Sequence, residues 1–264
     1  MCYDARMSTE RYLYAENEIR KSYGERVTVA GKSKSLRKFG RNDVVGTTLT
    51  TLWLSPPLNE SYVSTNLITT MVSDNSNDLI AMKIEGHTVD ADGNFTFVVQ
   101  IAFLLGLTPV TLTTPLARVS RVYNFGATNL VGDVFITEDD TFTAGVPDTD
   151  SKVHCEIRAG FDQSFKCATT TSQYDYFIIE EVHASILKKQ SATVNLFLEV
   201  RLKGGIFLPK YEWAVTSSGT SSNDQHFAPQ LIVPPNADVR VRGISTNAGT
   251  EVAAGFAGVF AIKM

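Results

Sequence analysis

The sequence predicts an all-β protein, a jelly roll or β-sandwich in two β subdomains behind an extended N-terminal arm that carries a short helix. Three observations carry this. Residues 190–264 read as β-structure almost throughout: Val194, Leu196, Leu198, Val200 and Leu202 alternate with Asn195, Phe197, Glu199, Arg201 and Lys203, the period of a strand with one buried face. About a dozen strand-like runs are separated by turn-forming clusters, as in a sandwich or barrel. No unit of 20–50 residues recurs, which excludes a propeller or solenoid.

Residues 1–45 are read as helix and arm. Over 5–24, Ser8 or Thr9 can cap a helix, and Tyr12, Ala15, Ile19 and Tyr23 recur at steps of three or four. Lys32, Lys34, Arg37 and Lys38 then follow within seven residues, with Arg41 beyond. This stretch has no apolar periodicity, so it is expected to lie outside the protein's own core, either as a solvated linker or as an extended arm that orders against another subunit or an acidic surface. Residues 1–42 carry ten Lys or Arg and five Asp or Glu, near +5. The formal net charge of the chain is -4, so the rest is near -9. A basic arm on an acidic body favours an electrostatic protein partner. Phe39 is the one aromatic among these charges, so the arm is poorly equipped to stack on bases, and no sequence-specific nucleic acid is expected.

The first β subdomain is assigned to 46–147. Strands are predicted over 47–54, 61–72, 79–89, 95–103, 109–116, 117–125 and 134–136. Asp92-Gly93 marks a hairpin between two of them. The run from Phe95 to Leu107 is the longest apolar one, but Thr96, Gln100 and Gly106 interrupt it and it is too short to span a bilayer. Residues 144–150 are turn-rich and serve as the boundary. The second subdomain, 148–264, has strands predicted over 152–158, 164–168, 174–187, 193–203, 206–215, 231–233, 239–241 and 252–262. A turn-rich insert is read at 217–224.

Motifs for chemistry are missing from this pattern. The three cysteines, Cys2, Cys155 and Cys167, have neither disulfide-framework nor metal spacing, which fits synthesis in a reducing cytosol. His154, Cys155, Cys167 and His183 form a weak zinc candidate, because no pair stands at ligand spacing. Asp90-Ala91-Asp92-Gly93-Asn94 is read as a solvated turn, since it lacks the closing glutamate of a calcium loop. Glu180 and Glu181 point to opposite faces of a strand and cannot flank one glycosidic bond. No catalytic residue, metal or cofactor is expected. Tyr211 and Trp213 adjoin the polar insert, where they serve either a protein interface, a sugar, or the core. Arg240 and Arg242 share one strand face and suit inter-sheet or inter-subunit ion pairs.

Several strings, in order, resemble a family of virion structural proteins of tailed bacteriophages. They are Gly40-Arg41-Asn42-Asp43-Val44, Ser120-Arg121-Val122-Tyr123, Gly132-Asp133-Val134-Phe135-Ile136, Glu199-Val200-Arg201 and Gly205-Ile206-Phe207. Pro234-Pro235-Asn236-Ala237-Asp238-Val239-Arg240-Val241-Arg242 and Ala253-Ala254-Gly255-Phe256 follow. The resemblance runs from about residue 37 to the end. It implies a β-sandwich cement or decoration protein on the head, often a trimer, bound to the major capsid protein or other virion proteins. A neck or tail adaptor or fibre-attachment protein is the alternative. It also implies residence in the virion after synthesis in the bacterial cytoplasm, with no membrane partner.

Overall fold

In the computed structural model, residues 34–54, 62–187, 192–217 and 221–262 are described. The helix expected over 5–24 and the predicted interface residue Lys32 lie outside them. The strands are β1 (Lys34–Val45), β2 (Thr50–Thr51), β3 (Ile68–Ser73), β4 (Ala81–Val89), β5 (Phe95–Phe103) and β6 (Val110–Leu116). Then come β7 (Arg118–Asn124), β8 (Val134–Glu138), β9 (Phe142–Thr143), β10 (Val146–Pro147), β11 (Val153–Ile157) and β12 (Ala168–Thr170). The last six are β13 (Asp175–Ile186), β14 (Ala192–Arg201), β15 (Phe207–Ser217), β16 (Ser221–Val233), β17 (Asp238–Ser245) and β18 (Thr250–Ile262). Among the described residues no helix is long and apolar enough to cross a membrane.

The all-β reading holds, and the strand order makes it specific. One sheet runs β1-β18-β13-β16 and the facing sheet β12-β17-β14-β15, with β2 added on β17. If β1 and β12 to β18 are taken as eight successive strands, one sheet holds the first, eighth, third and sixth. The other holds the second, seventh, fourth and fifth. That is the strand order of a jelly roll. All its pairings are antiparallel. Its core is closed by Phe177, Val182, Leu196, Leu198, Val239 and Phe256, contributed by both sheets.

The remaining strands form a second sandwich, inserted between the first and second strands of the jelly roll. Sheets β11-β8-β3-β6 and β5-β4-β7 enclose Met71, Met82, Ile84, Leu116 and Ile136. The chain leaves the jelly roll after Leu54 and returns at Phe165. There the Leu54 N–H donates to the Phe165 carbonyl at 3.3 Å, and Trp53 bridges to Lys166.

This corrects the division at 147/148. β11 belongs with β8 of the insert, and β1 and β2 belong to the jelly roll. It also corrects the arm. Residues 34–45 are a strand paired with β18 from Lys34↔Phe260 to Val45↔Thr250. Leu36, Lys38, Gly40 and Asn42 alternate inward against Arg37, Phe39 and Arg41. The inward face carries too few apolar side chains to show as a period. Its middle position is Gly40 because a Cβ there would lie 2.2 Å from the Leu52 carbonyl oxygen, so β1 can lie against its neighbours only without one. The insert read at 217–224 is also shorter than expected. β16 begins at Ser221 and continues the sheet along β13, with Ile186↔Ser221 and Ser185↔Ser222.

The Asp92-Gly93 hairpin is present between β4 and β5. Gly93 takes φ +76°, a conformation open chiefly to glycine, while Asp90 Oδ1 accepts the Asn94 N–H at 2.8 Å. The loop's carboxylate is thereby used in its own turn.

Candidate assembly surface

The predicted interface residues do not form one site. Lys34 opens β1. Arg37 is exposed and pairs with Glu181 at 2.9 Å. Arg41 pairs with Asp43 at 2.7 Å and with Glu251. Lys38 is buried, 3% exposed, and its ammonium donates to the Ser120 carbonyl of the insert. Burial, then the nearby Arg121 and Lys166, lower its pKa to about 8. The basic residues thus fasten β1 to the body.

Tyr211 and Trp213 stack with ring centroids 6.0 Å apart, and Tyr211 meets Phe227 edge-on at 4.6 Å. Trp213 is 4% exposed and part of the jelly-roll core. It stands on β15, where Trp213, Val215 and Ser217 turn inward in alternation. The core reading of this pair therefore prevails over the sugar-binding one. Arg240 and Arg242 share a face as expected. Both donate to Glu199 on the neighbouring strand, at 2.8 Å and at 2.8 and 2.6 Å, so the pairs lie within one sheet. Cys155 and Cys167 are buried thiols outside any disulfide, and burial pushes the Cys167 thiol up to about 12.

Sequence reasoning missed the joint between the two sandwiches. Arg118 of the insert donates through Nε to Asp238 Oδ1 at 2.8 Å. Asp238 of the jelly roll also accepts from Arg201 Nε at 3.0 Å and Thr170 Oγ1 at 2.8 Å. Burial opposes ionisation of Asp238, but the guanidiniums of Arg118 and Arg201 outweigh it and hold the carboxyl below its usual range. Tyr62 and Phe95 lie beside the Arg118 guanidinium, and Phe207 lies 3.7 Å from that of Arg240. These are ion pairs with their hydrogen bonds filled, the arrangement that lets charge be buried. A cleft of about 610 Å³ opens beside this joint, lined by Lys38, Glu85, His87, Phe97, Ser120 and Thr170 among others. Burial lowers the pKa of His87 to about 3, so its imidazole is neutral.

The other feature that sequence reasoning missed is the outer face of β5. This strand is at the edge of its sheet. Phe97, Val99, Ile101 and Phe103 point outward and are 41%, 47%, 55% and 55% exposed. Inward go Gln100 and Ala102. The Gln100 side chain explains the orientation. Its Nε2 donates to the Thr114 carbonyl at 2.8 Å and its Oε1 accepts the Thr114 N–H at 3.0 Å, so one amide ties β5 to β6. The tie fixes which face is inside and turns four large apolar side chains out. Leu105 and Leu107 past the strand end, with Leu79 and Phe125 nearby in the insert, are exposed as well. Contiguous apolar surface of this kind on an edge strand marks a contact or an aggregation hazard. Among the described residues no three His, Cys, Asp or Glu side chains gather closely enough to hold a metal ion.

No family model and no curated protein matches the chain. Among solved structures it is similar to VP2 of infectious bursal disease virus in a subviral particle. That match has 9% identity over 93% of this chain and 77% of that one, with a TM-score of 0.24. The structure of the Gx strain of that virus gives 10% identity over 93% and 78%, with a TM-score of 0.25. YcfD, a ribosomal oxygenase from Escherichia coli, gives 10% identity over 68% and 40%, with a TM-score of 0.16. Scores this low carry no argument about function.

Proposed function

We propose that this chain is a non-enzymatic structural subunit of a virus particle. Following the sequence resemblance, we assign it to the head of a tailed bacteriophage, as a cement or decoration protein bound across major capsid protein subunits. The observation that carries the structural reading is the apolar outer face of β5. A soluble monomer gains nothing from Phe97, Val99, Ile101 and Phe103 in water, whereas a subunit of an assembly buries them. The jelly roll alone does not decide the matter, because shell proteins and lectins both use it. A row of Phe, Val, Ile and Phe offers a sugar no hydrogen-bonding groups, while it offers a protein the apolar centre of an interface. The basic residues 34–41 do not act as a free arm in this reading, since β1 holds them in the sheet.

The test is to purify the particles in which the chain is made and to count its copies by imaging and quantitative mass spectrometry. Hundreds of copies on the outer surface of the head support the cement assignment. Six or twelve copies at the portal or tail place it as the neck or tail component instead. A chain absent from purified particles overturns the reading.

A further inference from the structure

The charges buried around the joint between the two sandwiches are matched, with one exception. Asp238 meets Arg118 and Arg201, and Glu199 meets Arg240 and Arg242. Lys38 is as deeply buried, yet among the described residues its ammonium meets only the Ser120 carbonyl. Glu85 and Asp175 line the same cleft, but no carboxylate is among the main groups acting on Lys38. Burial, then Arg121 and Lys166, lower its pKa to about 8, while Cys155 and Cys167 act in the opposite sense. A buried cation without a counter-charge is costly, because it has given up water and received no anion in return.

The surroundings of Lys38 say what an anion would bring with it. The cleft it lines has about 610 Å³, the size of a small-molecule site. Its walls are apolar and come from both sandwiches: Leu36 and Phe260 from the jelly roll, Phe97 and Val99 from the insert. His87 and Ser120 line it as well, 3% and 7% exposed, and His87 Nδ1 and Ser120 Oγ have no hydrogen-bond partner among the described residues. Ser120 thus brings to one place the carbonyl that holds the Lys38 ammonium and an unpaired hydroxyl. Apolar walls closing on a few convergent polar groups are the composition of a ligand site. One ammonium and one hydroxyl suit a single negative charge on two oxygens, whereas a phosphate needs more donors.

We propose that the cleft between the two sandwiches binds a small apolar carboxylic acid. Its carboxylate pairs with the Lys38 ammonium and accepts from the Ser120 hydroxyl. Its hydrocarbon body lies between Leu36 and Phe260 on one side and Phe97 and Val99 on the other. The carboxylate supplies the counter-charge that Lys38 lacks, and the body removes the joint-side half of the β5 row from water. Because its walls belong to both sandwiches, such a ligand also ties the insert to the jelly roll. Ile101 and Phe103 lie outside the cleft, so the assembly contact proposed above keeps its apolar centre, and the two ideas can fail separately.

The experiment is isothermal titration calorimetry of decanoate into the full chain at neutral pH, with decylamine as the probe of opposite charge and circular dichroism as a check on folding. Decanoate is expected to bind with a Kd on the order of 10–100 µM, and decylamine about tenfold more weakly or worse. Octanoate, the shorter acid, is expected to lose about tenfold against decanoate, at about fourfold per buried methylene. Lys38→Met keeps the length of the side chain and removes its charge, and is expected to weaken decanoate about thirtyfold. Val99→Asp places a like charge on the cleft wall at a half-exposed position, where folding tolerates it, and is expected to cost about tenfold or more. It decides the matter if Lys38→Met does not fold. A wild type that takes up no decanoate, decylamine or octanoate bound as tightly as decanoate, or a folded Lys38→Met or Val99→Asp variant of wild-type affinity overturns the proposal. Any of these leaves the copy count on particles free to come out either way.

Discussion

Strands β13 and β5 make opposite use of the same alternation. In β13 of the jelly roll, Val182, Ala184 and Ile186 go inward, while Glu181, His183 and Ser185 face out. In β5 of the insert, Gln100 and Ala102 go inward, while Phe97, Val99, Ile101 and Phe103 face out. β13 turns its apolar side to a core, and β5 turns its apolar side to the surface. The difference teaches that alternation fixes the two faces of a strand, while the partners across the sheet decide which face is buried.

The comparison can be broken or sharpened by substitutions on either side of it. The largest effect is expected in the jelly-roll core. Phe177 is fully buried between the sheets, so Phe177→Ala should cost about 4 kcal/mol in urea unfolding, lost contacts and cavity together. Ile101→Ser on β5, equally apolar but outward, should shift the unfolding of the monomer by less than about 0.5 kcal/mol. Equal costs at the two positions would erase the contrast.

Next comes the joint. Arg118→Met leaves Asp238 buried with Arg201 as its remaining guanidinium partner, and should cost about 3 kcal/mol, the lower end for a broken buried pair. The same denaturant series measures it.

A third effect depends on pH. The folded pKa of His87, about 3, lies below its ordinary 6.5, lowered by burial, while Asp238 and Arg118 nearby act in opposite senses. The unfolded chain therefore binds a proton that the folded one refuses, and stability falls as pH drops below 6.5. Between pH 6.5 and 5 the loss from this group should be about 2 kcal/mol, at about 1.4 kcal/mol per pH unit. His87→Gln should flatten that part of the profile, and an unchanged slope would count against a neutral buried imidazole.

The smallest effect is expected at the surface. Arg37 is largely exposed in its pair with Glu181, so Arg37→Ala should cost under about 0.5 kcal/mol. A larger loss would mean that β1 hangs on this ion pair rather than on its ladder with β18.

Most of the strands were legible because local rules govern them. β5 was placed at its observed bounds, and β13 and β14 within two residues of theirs, since period and turn residues agree there. Three things were not legible, each because it depends on residues far apart. β1 looks like a basic arm, since its inward residues are Lys38, Gly40 and Asn42, whose reasons are the Ser120, Leu52 and Thr51 carbonyls that the fold brings against them. The insert could not be told from a preceding subdomain, because β1 and β12 are neighbours of β18 and β17, distant in the chain. The apolar face of β5 was hidden by having apolar residues on both sides, which cancels the period of two. What decides inside from outside there is a pair of hydrogen bonds from Gln100 to Thr114.

The order of the strands also constrains how this chain can be made. Lys34 finds its partner only in Phe260, so the eight-stranded domain cannot close until β18 has been synthesised. The jelly-roll strands made before it wait with sheet edges open, and such long-range pairing is slow. The insert has no such delay, because β3 to β11 find all their partners within one short stretch. It is expected to condense first and to hold Leu54 beside Phe165, so that the two halves of the larger domain are brought together by the part that folds before them.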